Sequence, residues 1–302
     1  MTPDYVYILS ANILAVIAIL GFFLNFAVLY VVIKDRKNLW KPINLIIVNL
    51  SIQDIFIAIF GCPLAFMAAI SHGGLWTQLR CQWYAFMMTT LGIGNIGSIT
   101  MMAIERWLMV RMSQTLSVGK AFMLAGAVWI YAFSLSLPPI IGWGEYGPES
   151  LNISCSVAWE NYSSHNGKYI IYLFFFGSIL PIAIIIASYI SIIQHLKKST
   201  DRIRNHYDFL IHYFFGLLEQ CKQRDLKVIK MVVLMTVSFI ITWAPYSYVA
   251  LALYFFNYPA PPLVLVLPCL FAKSSIIYNP IIYAFRNEQF LKSFKKFFHI
   301  NQ

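Results

Sequence analysis

Seven long apolar runs, separated by short polar and charged stretches, dominate the hydrophobic pattern of this chain. A helix crosses the roughly 30 Å of membrane hydrocarbon with about 20 apolar residues, and each run is long enough to do so. Prolines interrupt several runs, which bundled membrane helices tolerate because neighbouring helices satisfy the freed backbone groups. The pattern predicts an all-α membrane protein, one domain over residues 1–302 built as a seven-transmembrane helix bundle. The predicted spans lie near 7–33, 43–70, 82–110, 119–141, 168–195, 228–256 and 262–285.

Composition agrees with this reading of the pattern. The chain is 60% hydrophobic and only 11% charged, whereas a soluble globular domain has about 25% charged residues. A soluble protein of 302 residues could not bury that much apolar surface in one core. We therefore expect a lipid bilayer around the bundle.

The basic residues set the predicted orientation. If the N-terminus lies outside, all but three of the 22 lysines and arginines fall in the cytoplasmic connections. Arg80 and Lys168 fall on the outer side, and Lys273 falls inside the seventh span. Positive charge is enriched in cytoplasmic loops, so the chain is predicted to run from N-out to C-in. The net charge of +10 then needs no nucleic acid as a partner.

Two cytoplasmic stretches are apolar without being long enough to span. After span seven, phenylalanines recur at helical spacing opposite lysines, which predicts a short amphipathic helix over about 287–299 on the cytoplasmic leaflet. A frayed tail is the alternative. The stretch 209–218 could extend a neighbouring helix, lie at the interface or dock a partner, and the sequence does not choose among these.

The cysteines divide by compartment. Cys81 opens the third span on the outer side, and Cys155 lies in the loop between spans four and five. Both face an oxidising compartment, so we predict a Cys81–Cys155 disulfide. Cys62 and Cys269 lie within spans, where a small buried hydrophobic side chain is the usual interpretation.

Lys273 is the most informative single residue. It lies in the middle of the last apolar run and is the only formally charged side chain between Lys230 and Arg286. A lysine at mid-bilayer depth costs about 3 kcal/mol even on lenient scales, so it indicates a functional site. Its amine can bond covalently to a carbonyl compound as a Schiff base, which predicts an aldehyde ligand. No metal-ligand cluster, hydrolytic triad or phosphate-binding loop is found, so we expect no enzyme and no metal site.

An ordered series of motifs resembles the rhodopsin-like class of G-protein-coupled receptors across nearly the whole chain. The motif of span three departs from the class in having Trp107 where tyrosine is common. Within the class, FAKSSIIYNPIIY places Lys273 six residues before Asn279, which resembles the opsins, the branch that binds retinal. The matching residues are Asn25, Asp54, Cys81, Glu105 with Arg106, Trp129, Pro181, Tyr189, WAPY from Trp243 to Tyr246 and NPIIY from Asn279 to Tyr283.

This resemblance implies a ligand and a pocket for it. Retinal, expected as the 11-cis isomer in the dark, would be bound to Lys273 as a protonated Schiff base. The other residues expected around it are Tyr84, Met88, Gly92, Phe174, Gly177, Trp243 and Tyr246.

A buried cation needs a negative partner, because desolvation otherwise favours loss of its proton. Placing the acidic residues along the chain leaves Glu145 and Glu149 as candidates. Glu149 lies six residues before Cys155, a spacing similar to that of the loop counterion in invertebrate and bistable opsins, and it is assigned that role. A bound anion, a water-linked Glu145 and a merely solvated Glu149 remain alternatives. The counterion position of vertebrate visual pigments holds Tyr84 here, so the photoproduct is expected to stay protonated and to revert under light.

The resemblance also implies a G-protein switch at the cytoplasmic ends of the spans. Arg106 is expected to pair with Asp225 of span six in the dark, and span six is expected to swing outward on activation. Asp54 resembles the sodium and water site of the class, and Asn161 is a weak glycosylation sequon. The switch residues implied are Glu105, Arg106, Asp225, Tyr189, Asn279, Pro280 and Tyr283.

Three functions fit these expectations. The first is a light-activated receptor in the plasma membrane of a photoreceptive cell, with a heterotrimeric G protein, arrestin and a receptor kinase as partners. The second is a retinal photoisomerase of the same fold. The third is a receptor for a diffusible ligand in which Lys273 is incidental. The intact motifs at Glu105, Tyr189 and Asn279 favour the receptor that responds to light.

Overall fold

A computed structural model describes residues 4–161, 163–204, 211–256 and 261–297, with no side chains described at 150, 199–204 and 211–225. Within these ranges, seven helices are long and apolar enough to cross a membrane. The predicted seven-helix bundle is confirmed. Spans one to seven are Asp4–Lys34, Pro42–Ile70, Gln78–Met112, Val118–Ser136, Ser164–Lys198, Leu226–Phe256 and Pro262–Arg286.

The bundle is built from long α-helices with short irregular turns inside some spans. A two-stranded antiparallel sheet lies in the loop between spans four and five; its strands are β1 (Tyr146–Glu149) and β2 (Ser154–Val157). The α-helices, including the tail helix Glu288–Phe297, are Asp4–Lys34, Arg36–Leu39, Pro42–Phe56, Cys62–Ile70, Gln78–Met112, Val118–Ser136, Ser164–Phe174, Leu180–Arg204, Ile211–Phe256, Pro262–Lys273, Ser275–Arg286 and Glu288–Phe297.

Prolines explain the irregular turns. A π-helical turn, Ile57–Gly61, comes directly before the helix that contains Pro63, and another, Phe175–Ile179, comes directly before the helix that contains Pro181. Proline has no N–H and its ring crowds the preceding turn, so a wider turn on its N-terminal side relieves the clash. In span seven the helix is interrupted after Lys273, between Pro262–Lys273 and Ser275–Arg286.

One predicted boundary was wrong. Span four was expected to reach 141, but its α-helix ends at Ser136 and Pro138–Ile141 form a 3₁₀ turn, because two consecutive prolines cannot donate to the helix. Span six was predicted to begin near 228, which agrees with its start at Leu226, and its helix continues toward the N-terminus as far as Ile211. The backbone of the apolar stretch from 211 onward therefore extends span six; the side chains of this stretch lie outside the described part of the chain.

The hairpin of β1 and β2 covers one end of the bundle. The predicted disulfide between Cys81 and Cys155 is present, with Cα atoms 5.4 Å apart, and it joins β2 to the start of span three. The Tyr146 hydroxyl of β1 donates to the Ser136 carbonyl of span four over 2.6 Å. Burial raises the pKa of Tyr146 to about 12, so this anchor stays neutral at physiological pH.

Apolar side chains form two buried clusters, one beneath the hairpin and one toward the tail helix. The predicted amphipathic tail helix is present as Glu288–Phe297. Phe290 is 1% exposed and its ring lies 4.6 Å from that of Tyr283 in span seven. Phe294 and Phe297 are half-buried and pack against the same cluster, so this apolar face contacts the bundle.

Candidate functional site

A cavity of about 160 Å³ opens between spans three, five, six and seven beneath the hairpin. Its wall is mostly apolar and aromatic, with few polar groups. Lys273 and Glu149 contribute the two charged side chains among the residues that line it.

The Lys273 amine lies against two polar atoms of the cavity wall. Its Nζ is 2.9 Å from the Sγ of Cys269 and 3.5 Å from the Oγ of Ser154. Cys269 is one helical turn earlier in span seven, so it shares a face with Lys273. Ser154 comes from strand β2 of the hairpin.

Glu149 accepts hydrogen bonds from three sides. Its Oε2 receives the Ser156 hydroxyl over 2.6 Å and the Tyr246 hydroxyl over 2.8 Å. Its Oε1 receives the Ser154 hydroxyl over 3.0 Å and lies 3.5 Å from the Sγ of Cys269. The carboxylate is therefore held beside the amine, with Ser154 and Cys269 touching both groups.

The hairpin register explains this placement. Glu149 at the end of β1 faces Ser154 at the start of β2. Ser154 and Ser156 are two residues apart and point to the same side of the strand. The disulfide at Cys155, the residue between them, fixes the strand against span three. Two hydroxyls are thus directed at one carboxylate.

Trp243 of span six lies deeper in the cavity wall. Its Nε1 donates to the Ser275 hydroxyl of span seven over 3.3 Å, and its ring stacks on Phe239 with centroids 5.5 Å apart. A Cβ added at Gly92 would come within 3.1 Å of the Trp243 ring. Gly92 was predicted to lie beside the ligand; in this structure its lack of a side chain makes room for the indole.

The structure brings most of the predicted pocket residues together. Met88, Gly92, Phe174, Gly177, Trp243 and Tyr246 all line the same cavity as Lys273 and Glu149. Tyr84 does not line it. The Tyr84 hydroxyl instead donates to the Gly61 carbonyl over 3.3 Å, and its ring packs on Trp76 with centroids 4.9 Å apart.

Glu145, the alternative candidate for the partner of Lys273, lies outside this cavity. It lines a second cavity on the other side of Trp159 and Tyr246, and it is not part of the wall that contains Lys273. Its carboxylate accepts a hydrogen bond from Asn161. The geometry therefore favours Glu149 as the partner of Lys273. Glycosylation of Asn161 stays a prediction.

Asp54 lies in a buried polar layer between the two apolar clusters. It is 0% exposed and accepts hydrogen bonds from Asn95 over 2.7 Å and from Asn279 over 3.4 Å. The layer joins spans two, three and seven. Its predicted role as a sodium and water site stays a prediction.

At the cytoplasmic end, Arg106 is hydrogen-bonded through two nitrogens to its neighbour Glu105. Both side chains are buried, at 5% and 4% exposure. The hydroxyls of Tyr189 and Tyr283 are buried without a hydrogen-bond partner among the described residues. The expected partner Asp225 has its side chain outside the described part, so that pairing stays a prediction.

Sequence reasoning missed three residues of this site. Ser154 and Cys269 connect the amine to the carboxylate and Ser156 donates to the carboxylate, yet Cys269 was interpreted as a small buried hydrophobic residue. The spacing of Cys269 one turn before Lys273 was the available signal. The alternation of Ser154 and Ser156 around Cys155 was the signal for the serines.

Seven membrane-spanning helices around a lysine-bearing cavity, with a disulfide-tethered hairpin over one end, define a class of multi-pass membrane receptors. Residues 24–283 match the family described as "7 transmembrane receptor (rhodopsin family)". The chain belongs to this family, and within it the chain is of the opsin type. Proteins of this family are receptors.

The relatives and a solved structure agree. "Rhodopsin, GQ-coupled" of Mizuhopecten yessoensis is 31% identical, covering 97% of this chain and 60% of that protein. "Melanopsin" of Phodopus sungorus is 29% identical, covering 95% and 62%. "Rhodopsin" of Sminthopsis crassicaudata is 30% identical, covering 90% and 76%. The crystal structure of squid rhodopsin superimposes with a TM-score of 0.90 at 26% identity, covering 99% of this chain and 87% of that one.

The chain spans about three fifths of the length of the Mizuhopecten yessoensis rhodopsin and of the Phodopus sungorus melanopsin.

Proposed function

We propose that the chain is a light-sensing receptor that holds retinal on Lys273 and activates a heterotrimeric G protein. The observation that carries the proposal is the amine of Lys273 in the cavity wall, joined to Glu149 through Cys269 and Ser154. An unpaired cation at this depth would be costly, and a carboxylate beside it favours the charged form. Opsin-type relatives support retinal as the aldehyde.

The cavity suits a long apolar aldehyde. Aromatic side chains from spans five and six and apolar side chains from spans three and seven form its wall, and one amine is accessible in it. Bound to Lys273 as a Schiff base, with the 11-cis isomer expected in the dark, retinal supplies the absorption of visible light and a change of shape. The protein binds its apolar length, holds the positive charge near Glu149 and excludes water beneath the hairpin.

Trp243 is placed to pass a change in the cavity to span six. Its ring contacts span three at Gly92 and span seven at Ser275, so displacement of the ring would alter both contacts. Pro245 follows two residues later and provides a point at which the helix can bend. Outward movement of span six would let Tyr189 and Tyr283, whose hydroxyls lack described partners, rearrange around Arg106.

The cytoplasmic face would receive the partners. A G protein would bind where Arg106 becomes accessible, and arrestin and a receptor kinase would use the same side of the bundle. With the N-terminus outside, this face would lie in the cytoplasm, and the proposed location is the plasma membrane of a photoreceptive cell. The GQ-coupled name of one relative makes a Gq-class protein the first to test.

The test is reconstitution of the purified chain with 11-cis and with all-trans retinal. Absorption spectra before and after light, and light-dependent nucleotide exchange on a Gq-class G protein, are the readouts. The proposal predicts a visible pigment in the wild type, none in Lys273→Met, and exchange that depends on light. Pigment that releases isomerised retinal with no exchange on any G-protein class would favour the photoisomerase. Failure of the wild type to form any pigment would contradict the proposal and favour a receptor for a diffusible ligand.

A further inference from the structure

The shortest polar contact of the Lys273 amine is to a thiol. Cys269 Sγ lies 2.9 Å from Lys273 Nζ, 3.4 Å from the Ser154 hydroxyl and 3.5 Å from the nearer oxygen of Glu149. Cys269 is buried and lines the cavity. Its sulfur therefore touches both the amine and the carboxylate.

The amine, the thiol and the carboxylate differ in whether they can donate or accept hydrogen bonds. An ammonium group only donates hydrogen bonds, and a carboxylate only accepts them. A thiol can accept from the first and donate to the second. The Ser154 hydroxyl can do the same, but its distance to the amine is longer, at 3.5 Å. Cys269 is thus the bridge closer to the amine, whereas Ser154, at 3.0 Å, is the one closer to Glu149.

The other free cysteine among the described residues provides a contrast. Cys62 of span two is 0% exposed and packs in the apolar cluster beneath the hairpin. It is not part of the cavity wall. Ordinary packing accounts for Cys62 but not for a thiol that touches both charged groups of the site.

We propose that Cys269 is a positioning residue that relays a proton between Lys273 and Glu149. The ammonium proton passes from Nζ to Sγ while the thiol proton passes to Oε1 of Glu149, so the thiol is regenerated. The products are a neutral amine and a neutral carboxylic acid. The charged pair is the resting state, and desolvation, which disfavours both charged forms, lowers the free-energy cost of reaching the neutral pair.

The relay matters because only the neutral amine attacks a carbonyl carbon. Condensation of the amine with an aldehyde releases one water and leaves a C=N bond. The proton held by Glu149 then returns by the same route to the nitrogen, which restores the carboxylate beside a cation. The inference rests on the proposed function for its natural aldehyde, but the reactivity of the amine can be measured without retinal.

The other titratable groups near the thiol come from three spans. Tyr246 of span six, Tyr84 of span three and Cys62 of span two interact electrostatically with it, besides Lys273 and Glu149. Both tyrosine hydroxyls donate hydrogen bonds elsewhere: the Tyr246 hydroxyl donates to Glu149, and the Tyr84 hydroxyl donates to the Gly61 carbonyl. The bridging position is left to Cys269 and Ser154.

The experiment measures methylation of Lys273 by formaldehyde and an amine borane in the ligand-free full chain, across a pH series and by peptide mass spectrometry. We expect Cys269→Ala to slow methylation at neutral pH about tenfold and to move the pH–rate profile to higher pH. The effect should be smaller than the 10²–10⁴-fold typical of acid–base groups, because Ser154 remains as a second bridge. Cys269→Ser should stay near the wild-type rate because a hydroxyl also accepts and donates. Cys62→Ala is the matched control and should not change the profile.

Capping the thiol in the folded protein avoids reliance on variants that fold poorly. Methyl methanethiosulfonate applied to Cys62→Ala should modify Cys269 and slow methylation of Lys273 to the same extent. Equal rates and pH profiles in the wild type, Cys269→Ala and the capped protein would overturn the relay, even if pigment forms normally. A relay seen in a protein that never takes up retinal would instead leave this inference standing and count against the proposed function.

Discussion

At the residue scale, Lys273 and Glu149 depend on each other. The amine costs free energy inside an apolar helix, and the carboxylate of the hairpin offsets part of it through two bridging side chains. Neither residue has an oppositely charged partner nearby in its own stretch of sequence. The hairpin fold brings the carboxylate to the amine.

Glu149→Gln should lower the pH at which the dark pigment loses its proton. A nearby negative charge favours the protonated form, so it raises the titration midpoint, and its removal should lower the midpoint by about one to three pH units. Absorption spectra over a pH series measure this directly. Glu145→Gln is the matched control, because Glu145 lies outside the cavity that contains Lys273 and should leave the midpoint unchanged.

Equal midpoints in Glu149→Gln and the wild type would transfer the counterion role to another group. A large change in Glu145→Gln alone would identify the rival carboxylate as that group.

At the scale of elements, an ion pair connects span six to the tail helix. Lys227 Nζ lies 2.6 Å from an oxygen of Glu288, the first residue of the tail helix. The tail helix is also fastened to the connection after span one, where the Ser293 hydroxyl donates to Asp35 over 2.6 Å. This hydrogen bond lowers the pKa of Asp35, so the contact is fully present above the ordinary carboxyl range and weakens only in acid.

If span six moves outward on activation, the Lys227–Glu288 pair must break. Glu288→Gln should therefore raise light-independent nucleotide exchange. Exposed ion pairs contribute about 0.2–1 kcal/mol, so the increase should be at most about fivefold. Lys227→Glu should act similarly, and combining it with Glu288→Lys should restore the wild-type level. A double variant more active than either single variant would show that the pair does not hold span six.

The elements also show how far the sequence could lead. Apolar runs and basic loops were sufficient to predict the seven spans, and the placement of Cys81 and Cys155 on the outer side predicted the disulfide. The cavity residues around Trp243 were predicted only through the resemblance to the opsins. The π turns before Pro63 and Pro181 were not predicted, because proline permits several local distortions and packing chooses among them.

The contacts that join Lys273 to Glu149 through Cys269 and Ser154 were not predicted from the sequence, for a related reason. Cys269 is apolar by type, and Ser154 and Ser156 are ordinary loop residues until the strand register directs them at Glu149. The register depends on the Cys81–Cys155 link and on the fit of the hairpin to the bundle. Local spacing puts Cys269 on the helix face of Lys273 and puts Ser154 and Ser156 on one face of β2, but tertiary packing decides which groups these faces meet.

At the scale of the whole molecule, the site near the hairpin and the switch near the tail helix are joined by buried polar contacts. Asp54, Asn95 and Asn279 connect spans two, three and seven between the two apolar clusters. Trp243 connects spans six and seven at the base of the cavity. A rearrangement in the cavity therefore has a continuous packed path to Tyr283 and Arg106.

The placement of Glu149, the proposed counterion, leads to a prediction for the proposed photocycle. Because Tyr84 is not acidic and Glu149 is held by three hydroxyls, the product of illumination should keep its proton and absorb visible light. A second wavelength should then regenerate the dark spectrum, and repeated cycles should lose little absorbance. Bleaching to free retinal after one flash would contradict this expectation.

The proposed covalent bond between retinal and Lys273 is tested most directly by reducing the dark pigment with borohydride and sequencing its peptides by mass spectrometry. The expected result is a retinyl group on the peptide that contains Lys273, at the ε-nitrogen, and none in Lys273→Met or in wild type that has not received retinal. A retinyl group on another lysine, or a coloured Lys273→Met protein, would contradict the assignment of this chain as a photoreceptor that works through Lys273.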